Sequence, residues 1–146
     1  MSYGVRDATL DDALRIRQIN ASALDYACDE SDIRAQLSKI LNRETDRVWV
    51  AWNADTREVA GFIHAADYET LHSGSLKNII ALGVDPAYQG LGLGRLLTQR
   101  AEQWARDSGC AGIRLVSSMA RVKAHAFYLH CGYRLRKEQK NFIKDF

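Results

Sequence analysis

Ile79-Ile80-Ala81-Leu82-Gly83-Val84-Asp85-Pro86-Ala87-Tyr88-Gln89-Gly90-Leu91-Gly92-Leu93-Gly94-Arg95-Leu96-Leu97 is the stretch on which the reading of the fold turns. Its first six residues are a continuous apolar run, the pattern of a central strand buried on both faces. Its last residues open an amphipathic helix, with Leu93, Leu96, Leu97, Ala101 and Trp104 at helical spacing and Gly109 as a candidate C′ residue. Between strand and helix, Gly90, Gly92 and Gly94 stand at alternate positions. Lacking Cβ atoms, glycines admit positive φ and let a ligand reach the backbone. The bare N–H groups of a first helical turn, with the positive end of the helix dipole, attract an anion. Arg95 adds a cation at the mouth. On these residues alone the loop reads as a phosphate or pyrophosphate cradle, and a glycine turn without a ligand is the competing reading.

Neither common nucleotide motif fits. A Walker loop needs G-x-x-x-x-G-K-[ST], but Arg95, Leu96 and Leu97 stand five to seven residues after Gly90. The dinucleotide fingerprint G-x-G-x-x-G fails as well, because Arg95 occupies the place of its third glycine.

Working outward, Tyr3 and Val5 begin a short strand. Thr9 with Asp12 three residues on resembles a capping box for a helix over 10–23. Ser31 is the candidate cap of a second helix, in which Ile33, Leu37, Ile40 and Leu41 share a face. Val48–Trp52 and Val59–Ala66 read as a hairpin around Asn53–Arg57, and the strand at 75–84 follows. After the helix that Gly109 closes come a short strand at Gly112–Ser117, a helix at Val122–Cys131 closed by Gly132, and one or two strands from Tyr133 to Phe146. The order β-α-α-β-β-β-α-β-α-β is that of a mixed α/β domain with antiparallel middle strands. At 146 residues it is expected to be a single domain over 1–146.

Composition narrows the function classes. Twenty Lys and Arg against 18 Asp and Glu give a formal charge of +2, too even for a nucleic-acid wrapper or a polybasic membrane binder. No apolar run approaches the roughly 20 residues of a membrane-spanning helix. Met1–Asp7 has no apolar signal core. Cys28, Cys110 and Cys131 are odd in number and far apart, without metal-ligand spacing. The expectation is a cytoplasmic protein with no metal, nucleic-acid or membrane partner.

Gln89-Gly90-Leu91-Gly92-Leu93-Gly94 resembles the Q/R-x-x-G-x-G/A signature of the GCN5-related N-acetyltransferases, the GNAT superfamily. Arg121-Val122-Lys123-Ala124-His125-Ala126-Phe127-Tyr128-Leu129-His130-Cys131-Gly132-Tyr133 resembles that superfamily's A-x-x-F-Y-x-x-x-G-F/Y segment. The element order matches too, so the likeness covers essentially the whole chain. It implies a mixed, mostly antiparallel sheet of six to seven strands, splayed between strands 4 and 5 and flanked by about four helices.

The implied co-substrate is acetyl-CoA, with no metal. Main chain at Gln89, Gly90, Leu91, Gly92, Leu93, Gly94 and Arg95 would grip its pyrophosphate, and backbone at Leu82, Gly83 and Val84 would pair with pantetheine like an added strand. Arg121, Ala124, Phe127 and Tyr128 would complete the cofactor site. Many relatives carry Asn where this chain has Arg121, so that side chain either meets a CoA phosphate or is solvated. Phe127, with Ala124 and Cys131, also forms an apolar core stripe.

The implied reaction is acetyl transfer from the thioester to a primary amine. The Val84 N–H is the implied oxyanion donor and Tyr128 the acid at the thiolate. His64 is the candidate base on its intrinsic pKa, with Asp67, Glu69 and Asn78 near the acceptor opening. Asp25, Tyr26, Asp29, Glu30, Tyr68 and Glu69 supply acidic and aromatic groups suited to a cationic amine. They are equally ordinary loop residues. The acceptor is expected to be a small molecule. A protein N-terminus or lysine, or a non-catalytic CoA-binding role, are the alternatives. The superfamily's habits make a homodimer through Phe142–Phe146 possible.

Overall fold

The computed structural model describes residues 2–146, which divide into two compact units with the boundary between Val116 and Ser117. In the first unit, strands β1 (Tyr3–Asp7), β2 (Asp46–Asn53), β3 (Val59–Tyr68), β4 (Leu76–Val84) and β5 (Gly112–Leu115) form one sheet in that order. The first three pairings are antiparallel and β4–β5 is parallel. Helices α1 (Ala13–Leu24), α2 (Glu30–Leu41) and α3 (Leu93–Asp107) pack on it.

Helix boundaries follow local chemistry. The Thr9 N–H donates to Asp12 Oδ2 at 2.8 Å, half of the anticipated capping box, and Arg6 grips the same carboxylate through two hydrogen bonds at 2.9 Å. A single 3-10 turn, Leu10–Asp12, precedes α1. The second helix is capped by Asp29 in place of Ser31, so it starts slightly earlier than its apolar pattern suggests. Gly109 does end α3: at φ +72° it donates to Arg106 O while Cys110 N–H reaches Ala105 O, both at 3.0 Å.

Strand alternation sorts the core into two layers. Val48, Val50 and Phe62 join Ala13, Ile16, Ile19, Leu24 and Leu37 under α1 and α2. On the opposite face α3 buries Leu93, Leu97, Ala101 and Ala105, a stripe repeating every four residues. Close approach is required where helices cross strands. A Cβ on Gly83 would lie 3.0 Å from Ile19, and one on Gly61 3.2 Å from Leu97. Trp49 is fully buried, edge-on to Trp104 at 5.8 Å, and Trp104 carries the Lys77 ammonium 4.0 Å from its ring centroid.

Two expectations need correction. The sheet has five strands among the described residues, not six to seven, because 134–146 belongs to no strand. That segment is dominated by charged residues, and its apolar side chains Phe142 and Ile143 are adjacent, so they cannot both face one side of a strand. The apolar run Ile79–Val84 is also not buried throughout, since Ile80 is 52% exposed. Pairing with β5 ends at Ile79↔Leu115, and beyond it one edge of β4 has no strand neighbour.

The second unit contains α4 (Val122–His130). Gly132, at φ +93°, closes it: its N–H donates to Leu129 O, and the Tyr133 N–H donates to Tyr128 O at 2.9 Å. Tyr128 packs edge-on between Phe127 and Tyr133, with ring centroids 5.2 and 5.6 Å away.

Candidate active site

The end of β4 presents unpaired backbone. Asp85 N–H donates to Ala60 O at 2.8 Å, making Asp85 and Ala60 a hydrogen-bonded antiparallel pair. Such pairs alternate, so Gly83, opposite Phe62, also faces β3. Leu82 and Val84, opposite Ile63 and Gly61, therefore direct N–H and C=O away from β3, to the edge that β5 has left. A bulge starts this divergence. His64 and Ala65 are consecutive on β3, but their partners are Ala81 and Ile79, so Ile80 is an inserted residue at the point where β5 ends.

The loop after β4 continues that open backbone. A 3-10 turn at Pro86–Tyr88 leads to Gly90 and Gly92, at φ +82° and +80°. A Cβ at either would meet nothing within 4 Å, so glycine is needed here for the dihedral rather than for internal space. Gly92 caps α3, and the first intrahelical bond runs from Leu96 N–H to Gly92 O. Among the described residues, the N–H groups of Leu91, Gly92, Leu93, Gly94 and Arg95 have no acceptor. The Arg95 side chain is exposed and has no anionic partner there. This donor set fits the doubly charged pyrophosphate of CoA.

Sequence reading missed what holds the loop in place. Arg15 on α1 donates from Nε to Val59 O at 2.7 Å and pairs with the Asp85 carboxylate, whose other oxygen accepts the Ala87 N–H at 2.9 Å. Glu58 hydrogen-bonds the Tyr88 hydroxyl, which raises that phenol's pKa. The Arg15 hydrogen bond, with the Ala87 N–H, holds the Asp85 carboxyl below the usual carboxylate range against a smaller opposing effect of burial. A depressed folded pKa gives stability that is present above the unfolded value and lost as pH falls through the folded one. Replacing Asp85 with Asn is expected to cost about 1 kcal/mol at pH 7, and less as the pH falls below the ordinary carboxylate range. Urea melts at pH 7 and below that range check both halves of that expectation.

His64 lies on the α1/α2 face of the sheet, between Val48 and Ala81. Its Nε2 is 2.7 Å from Asp46 Oδ2. Asp67 does not join it. Alternation sends Asp67 to the α3 face, where its carboxylate pairs with Lys77 beside Trp104. Asn78 does share the His64 face and accepts from Arg114 Nη1 at 2.7 Å, while the Arg114 guanidinium covers the Tyr68 ring at 4.2 Å. Tyr68 thus already has a cation on that face. Glu69 accepts from Ser75 Oγ at 2.9 Å. Asp25 ends α1 in a left-handed conformation, and Asp29 stands at the start of α2, where its backbone carbonyl accepts the Ile33 N–H.

In the second unit, burial pushes the Tyr128 phenol up in pKa, against the nearby Arg121 charge, so it is a neutral O–H donor at pH 7. Ala124 and Phe127 share its helix, and Arg121 is the residue at the helix start. His125 Nε2 is 2.8 Å from Ser118 O, which orients the start of α4.

Comparison with known proteins agrees with this architecture. Residues 13–133 match the Acetyltransferase (GNAT) family. An aminoglycoside N(6′)-acetyltransferase type 1 from Stenotrophomonas maltophilia is 29% identical over 133 residues, covering 88% of this chain and 84% of that protein. Two solved structures have the same fold. One is described as a transcriptional regulator from Bacillus halodurans (TM-score 0.87, 20% identity, 98% of this chain and 100% of that one). The other is an aminoglycoside antibiotic 6′-N-acetyltransferase from Acinetobacter baumannii (TM-score 0.86, 15% identity, 99% of both chains). With the family match spanning most of the sequence, the chain belongs to the GNAT acetyltransferase family, as an acyltransferase whose acetyl donor is acetyl-CoA.

Proposed function

We propose that the protein moves the acetyl group of acetyl-CoA directly to a primary amine of a small molecule, with amino sugars of the aminoglycoside type as first candidates. The observation that carries this reading is two sets of free backbone donors, Leu82 and Val84 on the open edge of β4 and Leu91–Arg95 at the start of α3. The 29% identical relative named for aminoglycoside N(6′)-acetylation supports the acceptor class. The reading treats residues 1–146 as one catalytic domain, supported by a family match that runs from 13 to 133.

In this mechanism the loop amides and Arg95 hold the pyrophosphate, and the Leu82–Val84 edge accepts the pantetheine arm as an added strand. The Val84 N–H donates to the thioester oxygen as negative charge builds on it. His64 takes one proton from the ammonium and passes it to solvent; the freed nitrogen bonds to the carbonyl carbon, the C–S bond breaks, and the nitrogen's second proton leaves through His64. An ammonium near pKa 10 is almost fully protonated at neutral pH, so a base at this position is needed before attack. Tyr128 donates to the departing sulfur. A phenol above pKa 10 cannot transfer its proton completely to a thiolate near 8.5, so Tyr128 acts mainly by stabilising the developing charge, and solvent completes protonation.

The test follows CoA thiol release from acetyl-CoA with a panel of aminoglycosides, polyamines, amino sugars and amino acids. Turnover with a small primary amine is the expected result. Acetylation confined to peptide or protein amines would move the assignment to a protein acetyltransferase. Tight acetyl-CoA binding without thiol release would make the chain a CoA-binding module.

A further inference from the structure

We infer that Asp46 is a positioning residue: it holds the His64 imidazole with Nε2–H donating to its carboxylate and so leaves the Nδ1 lone pair to take the acceptor's proton. The inference rests on the acetyl-transfer reading above, and it concerns a residue that sequence reading did not single out.

Three observations carry it. Asp46 is buried at the start of β2, an expensive place for a carboxylate unless both oxygens are engaged. Both are, since Oδ1 accepts the Thr45 hydroxyl and Oδ2 faces His64 Nε2, each at 2.7 Å. An ionised carboxylate can only accept, so the ring nitrogen facing it must carry the hydrogen. Nδ1 has no protein partner among the described residues, and the side chain retains 14% exposure.

The surroundings favour this charge arrangement. Burial alone would raise the Asp46 carboxyl, but hydrogen bonds from His64 and Thr45, with the charges of His64 and Arg43, outweigh it and hold the group below its usual value. Across the face of the sheet, Asp46, Ala66, Asn78 and Arg114 stand in one register row. Opposite His64, β4 offers Ala81, and α1 and α2 offer the apolar Ile16, Ile19 and Leu37. The charged groups on this face are Asp46, Arg43 beside it, Arg114, which is engaged by Asn78 and Tyr68, and, in the Val50 row, Arg6, which is paired with the buried Asp12. A small side chain, Ala66, stands between Asp46 and Asn78 in their shared row.

The step balances without a further reactant. One ammonium proton moves to Nδ1 and on to solvent before attack; as the C–N bond forms and the C–S bond breaks, the nitrogen's second proton moves to Nδ1, where the Asp46 carboxylate stabilises the imidazolium, and then passes to the thiolate or solvent. Without the carboxylate the imidazole loses both its fixed tautomer and the charge that favours protonation.

The test uses the full chain in two measurements. The first is the pH dependence of kcat/KM for an accepted amine in wild type, His64→Gln and Asp46→Asn. His64→Gln is expected to lose roughly 100-fold, and Asp46→Asn about tenfold or more, with acetyl-CoA affinity unchanged. The pH profile of kcat/KM should also change on its acidic side in Asp46→Asn, which a purely structural role would not produce. The second is nitrogen-15 NMR of the wild-type imidazole above its titration, where the Nε2–H tautomer is expected. An unmoved acidic limb in Asp46→Asn, full activity in His64→Gln, or an Nδ1–H tautomer in wild type overturns the inference. In those cases acetyl transfer itself stands; absence of thiol release with every amine is the separate result that removes the transfer reading.

Discussion

Gly92→Val is expected to weaken acetyl-CoA binding by roughly 10- to 100-fold while the protein remains folded. Gly92 sits at φ +80°, where a β-branched residue is strained by more than about 1 kcal/mol. A Cβ there meets nothing within 4 Å, so no internal clash unfolds the chain. The damage falls on the ligand. The loop must shift its dihedrals or place a branched side chain beside its donor groups, and each charge-assisted hydrogen bond lost costs about 1.5–3 kcal/mol. Gly109→Val is the matched control. It has φ +72° and equally open space, but it ends α3 at the opposite terminus from the loop. It should lose similar stability and bind acetyl-CoA as wild type does. Calorimetry with melting curves on the two variants separates binding from folding.

Tyr128→Phe is expected to lower kcat by roughly 10- to 100-fold and to change acetyl-CoA affinity less than about twofold. The substitution keeps the ring, and with it the edge contacts to Phe127 and Tyr133, and removes only the hydroxyl. Because burial raises the phenol's pKa, the wild-type group remains a donor well above neutrality. Its loss is therefore a loss of charge stabilisation at the sulfur, visible in kcat under saturating acetyl-CoA. A donor thioester with a more acidic leaving thiol should recover part of the deficit, since such a sulfur needs less help. Steady-state assays with both donors measure this directly.

Much of the arrangement was legible in residue order because it depends on local rules. Thr9 and Asp12 announced the first helix, Gly109 and Gly132 the ends of two others, and the three alternating glycines the loop. Long-range pairing was less legible. Nothing in the run Ile79–Val84 states that Ile80 is an insertion opposite His64 and Ala65, yet that bulge coincides with the departure of β5 and the exposure of the β4 edge. The same limit hid Asp46 and Arg15. Each reads as an ordinary charged surface residue, and each acquires its role from a partner 18 or 70 positions away. Asp67 shows the converse: the family resemblance put it near the acceptor opening, and strand alternation places it on the other face from His64, with Lys77. The apolar residues near the C-terminus suggested strands, but adjacent Phe142 and Ile143 do not supply the alternation that a half-buried strand requires.

The central claim is that free main-chain donors along one edge hold the co-substrate, and amide NMR during titration with CoA tests it most directly. The account predicts saturable shifts concentrated at the amides of Leu82, Val84 and Leu91–Arg95, with small changes at Gly109 and along β1. Saturable binding that leaves those amides unperturbed, or the absence of saturable binding, would contradict it.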